Sequence, residues 1–258
     1  MTGPQDTRGG LSAFDLTGTV ALVTGGSRGL GRAMALGFAA AGADVVVASR
    51  KLEACRRVVA EVEAMGRRGL AHACNVSNWA ELEPLADAAY DAFGRVDVLV
   101  NNAGMSLLYG DVLEVTEAMW DKVVDLNLKG VFRLTALVGT RMVRDGGGSI
   151  INVSSVGSIR PTPHILPYAA AKAGVNALTD GFAKTLGPTV RVNCIMAGPF
   201  LTDVTKAWDP ETLEHGAERH ALQRFGRPDE VVGAALYFAS AASSFTTGTL
   251  LRVDGGIP

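Results

Sequence analysis

Cysteine is scarce in this sequence, with three residues among 258, and no two of them form a Cys-x-x-Cys pair. An odd, unpaired set is typical of a reducing compartment and argues against a disulfide framework. Apolar runs are also short, since none approaches the roughly 20 residues needed to span a bilayer. Residues 1–12 lack the apolar stretch of a secretory signal, so we predict that they form a flexible tail on a cytoplasmic protein without a membrane partner.

An excess of either charge is missing as well, because 24 basic and 26 acidic residues leave a formal net charge of -2. Lysine and arginine are scattered along the chain, which argues against nucleic acid as a partner. The four histidines show no His-Glu-x-x-His spacing and lie beside no recognised carboxylate cluster. We therefore predict that the protein requires no metal.

Short apolar, β-branched runs alternate with longer segments that suit helices. The runs predict strands at residues 20–23, 44–48, 70–73, 96–100, 149–153, 190–195 and 250–253. The segments between them predict helices at residues 31–41, 52–65, 79–93, 116–143, 168–186 and 228–239. This alternation predicts an α/β Rossmann fold, a doubly wound parallel seven-stranded sheet with helices on both faces, in a single domain at residues 13–258.

One stretch, residues 199–227, breaks the alternation. Two prolines, Pro199 and Pro210, together with Gly216 and two histidines, interrupt any strand pattern there. Long irregular segments in compact domains commonly act as lids or binding loops. We interpret these residues as a substrate loop.

A glycine-rich turn, Thr24-Gly25-Gly26-Ser27-Arg28-Gly29-Leu30-Gly31, follows the first predicted strand and leads directly into a helix. Backbone amides at such a helix start can face a pyrophosphate, and the glycines permit a tight turn and close approach of the backbone. The same pattern also occurs in ordinary strand-to-helix connections. Taken alone, it supports dinucleotide binding only weakly.

The end of the second predicted strand favours one cofactor over another. NAD-binding proteins usually carry a carboxylate there for the ribose hydroxyls, whereas this chain has Ser49, Arg50 and Lys51. No carboxylate would repel a 2′-phosphate, and Arg28 and Arg50 could bind it as charged donors. Two solvated surface arginines are the alternative. We predict that the cofactor is NADP(H).

A tyrosine and a lysine, Tyr168 and Lys172, lie four residues apart at the start of a predicted helix and so share one face. An unperturbed phenol has a pKa near 10, and a nearby ammonium favours its ionised form. Such a pair is a candidate acid/base group near neutral pH. The pair also arises by chance on exposed helices.

Several further motifs occur in an order that identifies a resemblance. They are Thr24-Gly25-x-x-x-Gly29-x-Gly31, Asn101-Asn102-Ala103-Gly104, Asn127, Ser155 and Tyr168-x-x-x-Lys172. With these motifs the chain resembles the short-chain dehydrogenase/reductase family over residues 14–256. The resemblance implies hydride transfer between a nicotinamide and a carbonyl or alcohol substrate.

The resemblance also implies a role for each of four residues. Ser155 would hydrogen-bond the substrate oxygen, and Tyr168 would donate or accept its proton. Lys172 would hold the nicotinamide ribose and depress the pKa of Tyr168, while Asn127 would position a water that relays protons to Lys172. From the residues alone, Ser155 could simply end a strand, and Asn127 could be an exposed amide.

The cofactor set that the resemblance implies extends beyond the turn. It comprises Gly25, Ser27, Arg28, Gly29, Leu30, Gly31, Ser49, Arg50, Asn75, Val76, Asn102, Ala103, Gly104, Tyr168, Lys172, Gly198 and Thr202. Two positions depart from the commoner family pattern, because Asn75 stands where the family often has aspartate and Ala197 stands where it usually has proline. An amide can still hydrogen-bond adenine, so we expect little loss.

Loop positions at the carboxyl ends of the strands suggest a substrate wall for an apolar or aromatic ketone or a hydroxyl compound of moderate size. The wall comprises Met105, Ser106, Leu107, Gly157, His164, Phe200 and Trp208, although core packing explains Phe200 and Trp208 equally well. The pattern is also similar to 3-oxoacyl-carrier-protein reductases. The turns at residues 146–148 and 187–189 lack the arginines that an acidic carrier would need, so we do not favour that substrate.

Family resemblance further implies a homotetramer, or a homodimer, with one interface on the helices at residues 116–143 and 168–186. Two other functions stay open. One is an NAD-dependent polyol or hydroxysteroid dehydrogenase, against which the missing carboxylate at Ser49 argues. The other is a non-catalytic NADP(H)-sensing protein.

Overall fold

The computed structural model describes residues 12–202 and 216–257. The strands are β1 (Val20–Thr24), β2 (Asp44–Ser49), β3 (Gly69–Ala73), β4 (Val98–Asn101), β5 (Gly148–Ser155), β6 (Val190–Ala197) and β7 (Leu250–Val253). The helices are α1 (Gly29–Ala40), α2 (Leu52–Ala64), α3 (Trp79–Phe93), α4 (Glu117–Val124), α5 (Gly130–Arg144), α6 (Leu166–Leu186) and α7 (Val232–Ala239). All seven predicted strands are present, with ends shifted by two residues or fewer.

The strands form one sheet in the order β3-β2-β1-β4-β5-β6-β7, and every neighbouring pair is parallel. The chain moves outward from β1 in one direction and then from β4 in the other, which confirms the doubly wound α/β prediction. In such sheets the crevice beyond the carboxyl ends of β1 and β4 is where ligands bind.

Alternating residues of each strand enter two separate apolar layers. Val23 of β1 packs with Phe38 of α1 and Phe238 of α7 on one face. Leu22 of β1 packs with Leu134 of α5 on the other face. Helices therefore cover both faces, as predicted, and burial of these side chains drives the layers together.

A row of polar side chains crosses the otherwise apolar interior. Asn101 Nδ2 donates to Thr135 Oγ1 and to Asn152 Oδ1, at 2.9 Å each. Asn152 Nδ2 donates in turn to Thr179 Oγ1 at 3.0 Å. All four side chains are buried, so each hydrogen bond offsets a desolvation cost, and the row links α5, β4, β5 and α6.

The predicted helix at residues 116–143 is interrupted. A π-helical turn, Asp125–Lys129, separates α4 from α5. Asn127 lies within it, and its side-chain amide donates to the Val123 carbonyl at 2.9 Å, so a side chain enters the hydrogen-bond ladder. The apolar pattern that predicted one helix continues through this turn, so the pattern did not indicate a break.

Two predicted segments lie partly outside the described residues. Residues 1–11 of the predicted tail are among them, whereas Ser12 begins a 3-10 turn, Ser12–Phe14. Residues 203–215 of the predicted substrate loop are also outside. At the ends of that loop, Phe200 forms a β-bridge with Gly226.

Candidate active site

The glycine-rich turn connects β1 to α1 at the carboxyl edge of the sheet. Arg28 is the N-cap residue with extended backbone, and its own side chain does not cap the helix. Gly25 and Gly29 have φ values of +63° and +53°, a left-handed region that suits glycine. A helix start of this kind, with a glycine-rich turn before it, is typical of an anion site.

Gly31 lets two parts of this turn pack tightly. A Cβ there would lie 2.4 Å from both the Gly25 carbonyl oxygen and Asn102 Nδ2. Asn102 donates to the Thr24 carbonyl at 2.9 Å and to the Gly25 carbonyl at 3.3 Å. The Asn102 side chain therefore ties the end of β4 to the turn, and Thr24 Oγ1 strengthens the tie by accepting from the amides of Asn102 and Ala103.

The residues expected to select the cofactor lie beside this turn, because β2 pairs with β1. The Gly26 amide donates to the Ala48 carbonyl at 3.3 Å, which holds the turn against the end of β2. Arg28 and Arg50 are both exposed at this edge. The Ser49 hydroxyl lies 3.0 Å from the Cys55 thiol, so it has an internal partner.

Asn75 and Val76 follow β3 at the same edge. Asn75 Oδ1 accepts from the Ser77 amide and hydroxyl, at 3.3 and 2.9 Å, and so shapes a local turn. The side chain of Val76 is buried, and a Cβ on Gly130 would lie 2.4 Å from the Val76 carbonyl oxygen. Val76 thus serves the core, and its sequence motif did not distinguish that role from a cofactor contact.

Tyr168 and Ser155 come together where β5 ends and α6 begins. The Ser155 hydroxyl lies close enough to the Tyr168 phenol to lower its pKa, and it accepts from the Gly157 amide at 3.1 Å. Burial raises the pKa of the Tyr168 phenol, and the Ser155 hydroxyl opposes this in part. The phenol is therefore protonated at neutral pH.

Lys172 lies one turn beyond Tyr168 and is buried. Its Nζ donates to the Val153 carbonyl at 2.7 Å and lies 5.7 Å from the centroid of the Tyr168 ring. Burial lowers the pKa of Lys172 to about 8. Burial is the largest influence on the pKa of Tyr168 in this structure, so the expected lowering of that pKa by Lys172 stays a prediction.

Asn127 is fully buried, which excludes the alternative of an exposed amide. Its Nδ2 donates to the Met105 carbonyl at 2.8 Å, and its Oδ1 accepts from the Met105 amide at 3.2 Å. A Cβ on Gly104 would lie 2.8 Å from Asn127 Oδ1 and 3.4 Å from Lys172 Nζ. Asn127 and Lys172 thus flank the same glycine.

The segment after β6 lies against the glycine-rich turn. The side chain of Thr202 approaches Gly29, where an added Cβ would lie 3.4 Å from Thr202 Cγ2. Gly198 permits close contact with Asp254, since a Cβ would lie 2.6 Å from the Asp254 Cα. Phe200 belongs to the apolar core, so core packing is the correct interpretation for it, and Trp208 lies outside the described residues.

One contact was not anticipated from the sequence. Tyr109, in the loop after β4, is buried, and its hydroxyl accepts from the Leu166 amide at 2.9 Å. Its carbonyl pairs with His164 Nδ1 at 3.1 Å. The one sequence signal was a tyrosine within the loop, which by itself indicates no partner.

Metal-ligating clusters and membrane-spanning helices are both missing from the part of the chain that the structure describes. No group of three or more His, Cys, Asp or Glu residues there is placed to hold a metal ion. No helix among residues 12–202 and 216–257 is long and apolar enough to cross a membrane.

Comparisons with known proteins match this chain over nearly its whole length. A family profile described as Enoyl-(Acyl carrier protein) reductase matches residues 25–258. The 3-oxoacyl-(acyl-carrier-protein) reductase FabG of Thermotoga maritima is 38% identical over 94% of this chain and 98% of its own. Dehydrogenase/reductase SDR family member 4 of Homo sapiens is 35% identical over 94% of this chain and 88% of its own.

Solved structures agree with this fold. A 7α-hydroxysteroid dehydrogenase complexed with NADH and 7-oxo glycochenodeoxycholic acid superposes with a TM-score of 0.93 at 33% identity, covering 97% of this chain and 98% of that one. A Beutenbergia cavernae protein assigned as an NAD(P) dependent gluconate 5-dehydrogenase, with bound NADP, has a TM-score of 0.90 at 34% identity, covering 94% and 98%. The chain therefore belongs to the short-chain dehydrogenase/reductase family of oxidoreductases.

Proposed function

We propose that the protein is an NADP(H)-dependent oxidoreductase that transfers a hydride between nicotinamide and a carbonyl or secondary alcohol substrate. The proposal rests on one observation. Tyr168, Ser155 and Lys172 lie together at the carboxyl edge of the sheet, where α1 also begins. Family membership supports the reaction class.

In the proposed mechanism Tyr168 is the acid and base. When bound, the cofactor supplies the hydride, so the protein contributes orientation and proton transfer. Ser155 hydrogen-bonds the substrate oxygen while Tyr168 gives its phenolic proton to that oxygen during reduction. The raised pKa of Tyr168 keeps this proton in place at neutral pH, which suits reduction.

Lys172 and Asn127 complete the proposed proton path. Lys172 has a pKa of about 8, so it can lose and regain a proton near neutral pH. The carboxamide oxygen of Asn127 and Lys172 Nζ both lie near Gly104, where an added Cβ would be 2.8 and 3.4 Å from them, which supports a water between the two. With the cofactor bound, the ammonium of Lys172 would also donate hydrogen bonds to the hydroxyls of the nicotinamide ribose.

The cofactor preference rests on this chain's own residues, because one structural neighbour holds NADP and another NADH. Two exposed arginines, Arg28 and Arg50, follow the turn and β2 with no carboxylate at position 49. Gly25 and Gly31 let the turn pack tightly against Asn102, where an added Cβ would lie 2.8 and 2.4 Å from its Nδ2, and a glycine-rich turn at a helix start supports pyrophosphate binding by α1. These features favour NADP(H).

The substrate that we propose is an apolar or aromatic carbonyl compound or its alcohol. One relative is a carrier-protein reductase, yet the turns at residues 146–148 and 187–189 of this chain hold no arginine for an acidic carrier. A small-molecule substrate is therefore favoured. A requirement for no metal and a cytoplasmic setting stay predictions from the sequence.

A homotetramer, or a homodimer, is part of the proposal. Phe132 of α5 is 43% exposed and stacks with the half-exposed Trp79 of α3 at 6.4 Å between ring centroids. Exposed aromatic pairs of this kind favour burial against a second copy. Light scattering of the purified protein tests the assembly, and a monomer would contradict it.

The function is tested by turnover of a ketone and aldehyde panel with NADPH and with NADH. We expect NADPH-selective turnover that Tyr168→Phe lowers by about 10³-fold while the Kd for NADPH stays the same. Turnover selective for NADH would point to the NAD-dependent polyol or hydroxysteroid dehydrogenase. Tight NADPH binding without turnover would point to the sensing protein.

A further inference from the structure

The loop that follows β4 is held at two points. At its start, the backbone of Met105 exchanges two hydrogen bonds with the buried side chain of Asn127. Four residues later, Tyr109 is 7% exposed and bonds to the first turn of α6. Between these points lies a short span with fixed ends beside α6, which consists of Ser106, Leu107 and Leu108.

The second attachment is unusual for a helix start. Leu166 is the first residue of α6, and its N-cap neighbour Ile165 has an apolar side chain that cannot accept a hydrogen bond. The hydroxyl of Tyr109 takes that place from 57 residues away by accepting the Leu166 amide at 2.9 Å. Tyr168 lies two residues farther along the same turn.

His164 closes the attachment from the other side. The carbonyl oxygen of Tyr109 can only accept, so His164 Nδ1, at 3.1 Å, is the donor, and the ring carries a proton on that nitrogen. Tyr109 is therefore bonded through both its side chain and its backbone to the segment that leads into α6. A shift of Tyr109 would move the loop and the first turn of α6 relative to each other.

We propose that Tyr109 is a positioning residue that, together with His164, fixes the span of residues 106–108 against the first turn of α6. The span thereby sets which prochiral face of a carbonyl substrate receives the hydride while its oxygen is bonded to Tyr168. This inference rests on the proposed function of Tyr168. A wall locked at a set distance from the acid selects one prochiral face of the substrate, because the two orientations place different groups against it.

The test uses Tyr109→Phe, which removes the hydroxyl and keeps the ring. The matched control is Tyr237→Phe, since the Tyr237 hydroxyl also makes one hydrogen bond, to Thr246 Oγ1 at 2.8 Å, on α7 outside the site. With a prochiral ketone and NADPH, we expect Tyr109→Phe to lower kcat/KM about 10-fold and the enantiomer ratio of the alcohol at least about 5-fold. The Kd for NADPH should not change, and Tyr237→Phe should keep the ratio of the wild type.

A pair of variants at His164 separates positioning from simple bulk. His164→Asn can place an amide nitrogen near the position of Nδ1, so it should change the enantiomer ratio less than His164→Leu does. His164→Leu has no donor and should lower the ratio in the direction of Tyr109→Phe. A ratio unchanged in both Tyr109→Phe and His164→Leu would overturn the proposal.

Hydrogen exchange gives a readout that needs no turnover. Exchange of the Leu166 amide, read by mass spectrometry of the peptide at residues 164–170, should rise at least about 10-fold in Tyr109→Phe and stay unchanged in Tyr237→Phe. If the wild type turns over no substrate and this rise is seen, the proposed function fails while the attachment stands. Equal protection in Tyr109→Phe and the wild type would overturn the attachment itself.

Discussion

Helices α1 and α6 both begin at the carboxyl edge of the sheet, and their first turns differ in how the protein treats them. At α1 the cap residue is Arg28 in extended conformation, glycines surround the turn, and the Arg28 side chain does not cap the first amides. At α6 the hydroxyl of Tyr109 accepts the first amide, and Pro167 removes a second donor. One helix start is left open and the other is closed.

The difference matches what each helix start has to hold. Both carry the partial positive charge of a helix N-terminus. An open start can offer that charge and its amides to an anion that arrives from solution, whereas a closed start holds its own side chains in one place. The proposed cofactor therefore suits the open start, and the proposed acid, Tyr168, suits the closed one.

The strongest loss should come from filling the open helix start with Gly31→Ala. The added Cβ would lie 2.4 Å from the Gly25 carbonyl oxygen and from Asn102 Nδ2, so the turn has to shift. We expect the Kd for NADPH, measured by fluorescence titration, to rise at least about 100-fold. Unchanged affinity would show that the turn is not the pyrophosphate site.

The next effect concerns the buried charge beneath the closed helix start. Lys172 has a pKa of about 8 when folded against an ordinary value of 10.5, so below pH 8 the folded state bears the full cost of a buried ammonium. A pKa difference of this size corresponds to about 3 kcal/mol. Between pH 8 and 10.5 the Lys172 side chain binds more protons in the unfolded chain than in the folded one, so the contribution of Lys172 to stability rises with pH.

Lys172→Met lacks this titration. We expect its free energy of unfolding to exceed that of the wild type by up to about 3 kcal/mol at pH 7, reduced by the lost bond to the Val153 carbonyl, with the difference narrowing towards pH 10.5. Urea unfolding at about pH 7 and about pH 10 measures it. A difference that does not depend on pH would contradict the burial argument.

A smaller effect is expected from the two arginines beside the open helix start. Arg50→Ala and Arg28→Ala should each raise the Kd for NADPH about 10-fold, because each removes a charged donor to a 2′-phosphate. The Kd for NADH should stay within about 2-fold, and it serves as the internal control. Equal losses for both cofactors would argue for a general charge effect in place of recognition of the phosphate.

The weakest effect should come from a control in the body of α6. Gly181→Ala adds a methyl group where no described atom lies within 4 Å, so it tests helix propensity alone. We expect a gain of about 0.5–1 kcal/mol in the free energy of unfolding and unchanged affinity for NADPH. Loss of affinity in this variant would show that glycine substitutions act on the site from a distance.

The strands were predictable from the sequence because a doubly wound fold encodes them as separate apolar runs. Val20, Asp44 and Leu250 mark predicted strand starts that the structure keeps. Periodicity also placed Tyr168 and Lys172 on one helix. These features depend on neighbours within the chain, so local patterns were sufficient for them.

Contacts between distant segments were not predictable in this way. The bond from Tyr109 to Leu166 joins residues 57 positions apart, and the row through Asn101 and Asn152 joins residues 51 apart. The pKa of Tyr168 depends on burial, which spacing alone does not reveal. The burial of the Val76 side chain in the core was likewise not evident from its motif, and its contact with a cofactor stays a prediction.

The π-helical turn at Asp125–Lys129 also has a consequence for how the gene can change. Such a turn holds one residue more than regular α-helical winding needs. Deletion of a single codon within it would remove the extra residue and let α4 and α5 join as one regular helix. In an ordinary α-helix, the same deletion would change the register of the residues on one side of it. The residues on either side would keep about their present register, so the helix would gain regular hydrogen bonds while Asn127 lost its place beside Met105. At this turn, a more regular helix and the correct position of Asn127 therefore exclude each other. An in-frame deletion of one codon would show this trade-off.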